Sequence, residues 1–229
     1  MPVQDDVRER ELTQLFNLWV PEQRRRDETD AFLRIDGLEL PFELKSTTSG
    51  SVSTVRDFGA DHIAKWKDLH WIFGFYTKDG NRLLYCHYAS PADMARWIQK
   101  MEDYVLPDIV LALEAAKAVT RDTLDVIFDP KEVYGTDDAK RIMKQQWTAA
   151  QYRDAQDIIG GYSPDRMIEI LKERCAYVVK RGATLNNPHI PRSYFANWER
   201  ITEDHAARLR QLVRYYLANR ASATDTATA

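Results

Sequence analysis

Thr29-Asp30-Ala31-Phe32-Leu33-Arg34-Ile35-Asp36-Gly37-Leu38-Glu39-Leu40-Pro41-Phe42-Glu43-Leu44-Lys45 places an Asp-Gly pair between two runs of alternating apolar residues. That pattern predicts a β-hairpin closed by a two-residue type I′ turn. With Ile35 opposite Leu38, the ladder counts back to Asp30 opposite Glu43. Side chains alternate along a strand, so Asp30, Phe32 and Arg34 share a face with Glu39, Pro41, Glu43 and Lys45. Ala31, Leu33, Ile35, Leu38, Leu40, Phe42 and Leu44 face the other way, into a core. Directly opposed positions have Cβ atoms about 4.5–5.5 Å apart, where like charges repel. Two carboxylates so placed are relieved by a divalent cation, and Lys45 stands one step along the same face. A solvated strand edge is the alternative use of these charges. Asp36 is a competing acid, but a turn-tip side chain points away from the strand face and its turn-forming role suffices.

The chain has 229 residues, 44% hydrophobic and 29% charged, enough for a substantial core in one globular domain or one domain with an elaboration. Its two cysteines, Cys86 and Cys175, lie far apart and suggest neither a disulfide framework nor a zinc site. With no apolar signal region and no membrane-length run, the cytoplasm is the expected location. The net charge of −3 excludes a general nucleic-acid coater, so DNA contact requires a local patch.

Along the chain, residues 5–19 read as a helix with Leu12, Leu15, Phe16 and Trp19 on one side. Arg24-Arg25-Arg26 follows, a solvated charge run or a phosphate-contacting one. Residues 46–54 form a small polar stretch leading to Arg56-Asp57. A helix is expected over 59–69, a doubly buried strand at 71–76 and a return strand at 82–88. Ser90-Pro91-Ala92-Asp93 opens a helix. Helix predominates from there to about Arg181, with 125–128 the one stretch in it that could be a strand and one long helix over 136–159. Leu185 to Pro191 is a loop, residues 198–219 form a last helix, and 221–229 should be disordered. The five histidines lack metal-ligand spacing, and no nucleophile elbow or Gly-rich phosphate loop is present.

An acid followed by Glu-x-Lys on a hairpin resembles the active site of the PD-(D/E)xK nucleases, here Asp30…Glu43-Leu44-Lys45. Three segments are further similar to PvuII-type type II restriction endonucleases. The first is Glu43-Leu44-Lys45-Ser46 with Ile63-Ala64-Lys65-Trp66 and Trp71-Ile72-Phe73. The second is Asn186-Asn187-Pro188-x-Ile190-Pro191, and the third Leu12-x-x-Leu15 with Leu18-Trp19. Together they cover residues 10–90 and 182–197. The chain departs from the family in a helical stretch over 100–165 and in its last helix. It also has Val55-Arg56-Asp57 where the family reads bases with histidines, and Trp66 where the family has a tyrosine.

The resemblance implies an α/β (α+β) class fold: a restriction-endonuclease-like mixed β-sheet flanked by helices. The expected organisation is a single domain over 1–220, with its core at about 1–100 and 182–198 and a helical insertion at about 100–165. The implied activity is Mg²⁺-dependent, sequence-specific hydrolysis of double-stranded DNA by a homodimer. A cognate methyltransferase would belong to the same restriction-modification system. Asp30 and Glu43 would ligate Mg²⁺ with the carbonyl of Leu44, and Lys45 would orient the attacking water. Ser53, Arg56, Asp57, Asn186 and Asn187 would contact DNA; asparagine suits the N6/N7 edge of adenine and arginine the O6/N7 edge of guanine. A structure-selective repair or resolving nuclease, or a non-catalytic DNA-binding protein, are the rival readings.

Overall fold

The computed structural model describes residues 4–24, 28–54, 59–183 and 188–227. Two compact units divide the chain, one formed by residues 1–102 and 187–229 and the other by 103–186.

In the first unit the hairpin forms in the expected register. Strands β1 (Ala31–Ile35) and β2 (Leu38–Thr47) pair antiparallel, with Ile35 opposite Leu38 and Ala31 opposite Phe42. Asp36 and Gly37 both take positive φ, 50° and 80°, the pair of left-handed residues that a type I′ turn requires. Pro41 lies in a non-hydrogen-bonded position of this ladder, where its missing N–H costs nothing.

Strand β4 (His70–Tyr76) runs parallel to β2, and β5 (Leu83–Ala89) returns antiparallel to β4, giving the order β1-β2-β4-β5. The sheet is therefore mixed. β4 is buried along its whole length, as its uninterrupted apolar run requires. Both edges are covered: Trp19 bridges to Phe32 beside β1, and Ile201 exchanges hydrogen bonds with Cys86 of β5.

Helices cover both faces. On one, Leu12 of α1 (Gln4–Leu15), Phe16 just after it, and Leu209 and Val213 of α8 (His205–Ala227) pack with Leu33, Phe42, Leu44 and Ile72. On the other, Trp66 of α2 (Ala60–Trp66) and Trp97 of α3 (Pro91–Lys117) pack edge-on against Trp71, while Phe195 meets Phe73 and Phe75. Ser90 and Asp93 cap α3 reciprocally, as the Ser-Pro-Ala-Asp signature predicts. A short strand β3 (Val52–Ser53) pairs with β6 (His189–Ile190), where only loops were expected.

Several expectations need correction. Leu38 is 49% exposed and Leu40 only partly buried, because β4 begins opposite Phe42 and leaves the hairpin tip uncovered. α1 stops at Leu15, and Asn17 in the left-handed region redirects the chain so that Trp19 joins the sheet edge. α8 begins later than expected and continues to Ala227, since alanine-rich sequence extends an existing helix readily.

The second unit is helical, with α4 (Arg121–Ile127), α5 (Thr136–Met143), α6 (Ala149–Asp154) and α7 (Pro164–Ala183). Its core includes Leu124, Ile142, Tyr152, Tyr162 and Ile170. The single helix expected over 136–159 is broken at Lys144 and Gln145, both with positive φ. It restarts at a capping box formed by Thr148 and Gln151. The possible strand at 125–128 is not formed: residues 125–127 belong to α4 and Phe128 caps it.

The hairpin tip is tied to α8 by Arg214, which donates to both carboxylate oxygens of Asp36 at 2.8 and 3.0 Å. That pairing holds the Asp36 carboxyl below the usual carboxylate range. Asp36→Ala loses the pairing and a residue type that tolerates the left-handed region. The expected result is a melting temperature lower by roughly a few degrees, with any catalytic activity retained, because Asp36 stands about 20 Å along the strand from Asp30. Thermal melts and an activity assay on one preparation check both halves.

Candidate active site

Asp30 lies one residue before β1, at the open end of the hairpin, so it sits beside Glu43 where the ladder stops. In the antiparallel alternation, Leu44 would be the next residue of β2 to bond toward β1. With no strand partner there, its N–H donates to Asp30 Oδ2 at 2.8 Å. A strand residue directs its N–H and C=O to the same side, so the Leu44 carbonyl points to the same edge as the Asp30 carboxylate. Glu43 accepts an ion pair from Lys45 Nζ at 2.6 Å. Asp30, Glu43, Leu44 and Lys45 are thus brought together, with Asp30 and Glu43 buried and Lys45 partly so.

Two further residues belong to this cluster: Arg24, read from sequence in another role, and Glu9, which the sequence did not single out. Arg24 donates to Asp30 Oδ1 at 2.5 Å and to Glu9 Oε1 of α1 at 2.6 Å. Arg24 therefore faces the carboxylates, neither a free solvated charge nor a phosphate hook as the run Arg24-Arg25-Arg26 suggested. Glu9 sits one helical turn before Leu12, and that i−3 spacing from a core residue was the available signal. The cluster opens into a groove of about 640 Å³ lined in part by Glu9, Thr13, Arg24 and Asp30.

Burial pushes the Asp30 carboxyl up from 3.8 to about 6; the Glu43 charge adds to this, and Lys45 and the Leu44 N–H partly offset it. For Lys45, burial works to lower the ammonium pKa, but the carboxylates of Glu43 and Asp30 outweigh it and hold it above its ordinary value. Lys45 is charged at neutral pH.

The raised Asp30 value predicts a pH dependence. The folded state holds the proton more tightly than the unfolded chain, so this contribution to stability is fully present below about pH 4. It is lost as pH rises through about 6. Its full size is at most about 3 kcal/mol, from about 1.36 kcal/mol per pH unit. Melts of chelator-treated protein should therefore fall between pH 4 and 7, and Asp30→Asn should remove that component of the slope. An unchanged slope in Asp30→Asn would place the titration elsewhere.

Two carboxylates and a backbone carbonyl form an all-oxygen donor set, which fits Mg²⁺, a hard ion held by one or two carboxylates with water and substrate completing its shell. No group of three or more acidic, histidine or cysteine side chains suited to hold an ion occurs among the described residues. A closed zinc-type site is not what these donors build. His70 and His87 are core histidines. His70 shares a hydrogen bond with Tyr88 at 2.8 Å and burial lowers it to about 4, while His87 Nδ1 donates to the Glu199 carbonyl at 2.6 Å. Trp66, at the family's tyrosine position, is buried against Trp71 and Trp97.

Of the expected DNA contacts, Ser53 is exposed on β3 with its hydroxyl 3.1 Å from His189 Nδ1. Arg56, Asp57, Asn186 and Asn187 lie outside the described residues. The described neighbours of both segments are joined, however: Thr54 donates from its N–H and its hydroxyl to the Pro188 carbonyl, at 3.0 and 3.1 Å.

Fold and site together define a mixed α+β protein whose helix-flanked sheet carries a carboxylate pair with an adjoining lysine at the open end of a hairpin. No protein-family model matches the chain, and no curated protein shows significant similarity to it. Among the described residues, no helix is long and apolar enough to cross a membrane.

Proposed function

We propose that the protein is a Mg²⁺-dependent, sequence-specific endonuclease of double-stranded DNA, a type II restriction enzyme of the PD-(D/E)xK superfamily. The observation that carries this reading is the convergence of Asp30, Glu43, the Leu44 backbone and Lys45 at one end of the hairpin. Asp30 and Glu43 are the ligands for Mg²⁺, with the Leu44 carbonyl as a third donor. Bound there, Mg²⁺ supplies acidification of an attacking water and neutralisation of charge at phosphorus. Lys45 holds a proton at Nζ and directs it at the attacking water and a phosphoryl oxygen, with Glu43 fixing its position. Asp30 must be deprotonated to bind the ion, so cleavage should decline below about pH 6.

Base reading is assigned to Arg56, Asp57, Asn186 and Asn187, with Ser53 beside them. The hydrogen bonds between Thr54 and Pro188 start both segments from one ribbon. A homodimer acting on a palindrome follows from the restriction-enzyme reading, and a methyltransferase of the same specificity would protect the host DNA. The cytoplasm is the compartment in which such a system works. Leu106, Val110, Leu111 and Leu113 of α3 are exposed and supply apolar surface for self-association, which sedimentation at micromolar concentration measures.

The decisive experiment is digestion of plasmid DNA with Mg²⁺, mapped at base resolution. Discrete, reproducible fragments are the expected result. Cutting confined to branched or damaged DNA would replace sequence recognition with structure recognition, and no cutting under any divalent cation would end the nuclease reading.

A further inference from the structure

A second groove, of about 730 Å³, lies on the sheet face that carries Glu43 and Lys45. Lys45, Phe73 and His87 form one row across β2, β4 and β5, and Thr47, Phe75 and Tyr85 the next. Strands are about 4.8 Å apart, so His87 stands about 10 Å across the sheet from Lys45, with Tyr85 one row further along. That distance is about three base-pair steps at about 3.4 Å each.

Lys78, Arg192 and Arg200 line this groove, and among the described residues no acidic one does. In a chain of net charge −3, such a concentration of one sign needs a reason. None of the three forms a salt bridge among the described residues, and Arg200 is laid over the Tyr85 ring at 4.5 Å. The neighbouring acids are engaged elsewhere. Glu199 is gripped at both oxygens by Arg208, and Asp79 accepts hydrogen bonds from Thr77 and Asn81. Gly50 allows the loop after β2 to press on Arg192: a Cβ there would stand 2.9 Å from Arg192 Cδ. That loop is itself braced by Thr47 Oγ1 donating to the Ser51 carbonyl at 2.7 Å. Three cations without a salt bridge among the described residues, beside hydroxyls on an open surface, suit a ligand with repeated negative charges. A single small anion would call for convergent donors in a closed pocket.

We propose that this groove, between the β5 face and the 192–195 turn, holds the phosphodiester backbone of duplex DNA flanking the reacting bond. The assignment rests on the nuclease reading for its choice of ligand. Cations at this distance from Lys45 add affinity that is independent of sequence and hold the duplex at the mouth of the groove.

The test uses the full chain with labelled duplex and single-stranded oligonucleotides in Ca²⁺, read by fluorescence anisotropy across a salt series. The variants are a triple one, Lys78→Gln, Arg192→Gln and Arg200→Gln, and a charge-preserving one, Arg192→Lys with Arg200→Lys. The triple variant should bind duplex at least tenfold more weakly at moderate salt. Its salt slope should be shallower by about 2 to 3, at about 0.9 for each phosphate no longer neutralised. The charge-preserving variant should recover most of the affinity, and melting temperatures should not change. Unaltered affinity and slope in the triple variant, tighter binding of single strands than of duplex, or equal competition by an acidic polypeptide would each overturn the proposal. If the wild type binds and cuts duplex while the triple variant binds it equally well, only the groove assignment falls. If the triple variant loses binding but the wild type never cuts with Mg²⁺, the groove stands and the nuclease reading falls. A wild type that binds no duplex ends both.

Discussion

Asp30→Asn, Glu43→Gln and Lys45→Met are each expected to reduce DNA cleavage by about 10³-fold or more while the protein stays folded. The size follows from what each change removes: a carboxylate of the proposed ion site in the first two, and the cation paired with Glu43 in the third. None of the three side chains supports the main core, because Leu33, Phe42 and Leu44 on the opposite face do that. Asp30→Asn retains an oxygen to accept the Leu44 N–H, now 2.8 Å from Asp30 Oδ2, and removes a charge that burial disfavours. That relief opposes the loss of the Arg24 pairing at Oδ1, for which the amide has no second oxygen, so melts of the metal-free variant measure the balance of the two. Rates would be compared under single-turnover conditions, with far-ultraviolet circular dichroism and melts on the same samples. Cleavage within tenfold of wild type in any of the three would remove that residue from the site, and Asp36→Ala serves as the acidic control outside it.

The second large effect is expected at Arg24. Its guanidinium bridges Glu9 and Asp30 at 2.6 and 2.5 Å, with about a fifth of its side chain exposed. Arg24→Met keeps the aliphatic stem but leaves two carboxylates facing each other without their shared cation. Exposed pairs contribute under about 1 kcal/mol, and breaking a buried pair costs about 3–5. This site is intermediate, so a loss of about 2 kcal/mol is expected in metal-free protein. A divalent cation at the proposed Asp30–Glu43 site should restore much of it by neutralising Asp30, because binding only the folded state stabilises by mass action. The rise in melting temperature on adding Mg²⁺ or Mn²⁺ should then be larger in Arg24→Met than in wild type. Equal melting of the two metal-free proteins would show that the guanidinium does not carry this charge balance. A smaller metal response in the variant would show that Arg24 supports the ion instead of standing in for it.

Local pattern determined the hairpin and its register. Asp36-Gly37 demanded left-handed backbone at two successive positions, and period-two alternation then determined the side on which each following residue fell, Asp30 and Glu43 included. The uninterrupted run at 71–76 implied a strand buried on both faces, and Ser90 with Asp93 announced the start of α3. These are interactions within a few residues, which sequence spacing expresses directly. The break at Lys144 was also written locally, in Thr148 and Gln151, but it competed with a helical periodicity that runs through it. What only the tertiary structure decided depends on distant elements meeting. β4 begins opposite Phe42, and so leaves Leu38 exposed despite its place in the apolar alternation. Arg24 turns inward because α1 brings Glu9 to the same carboxylate, a meeting that no spacing between Glu9, Arg24 and Asp30 encodes. The cationic groove likewise gathers Lys78 from a hairpin turn and Arg192 and Arg200 from the C-terminal part of the chain. Charge at such a place is the sum over separate segments, and a linear reading of a chain with net charge −3 has no means of adding them.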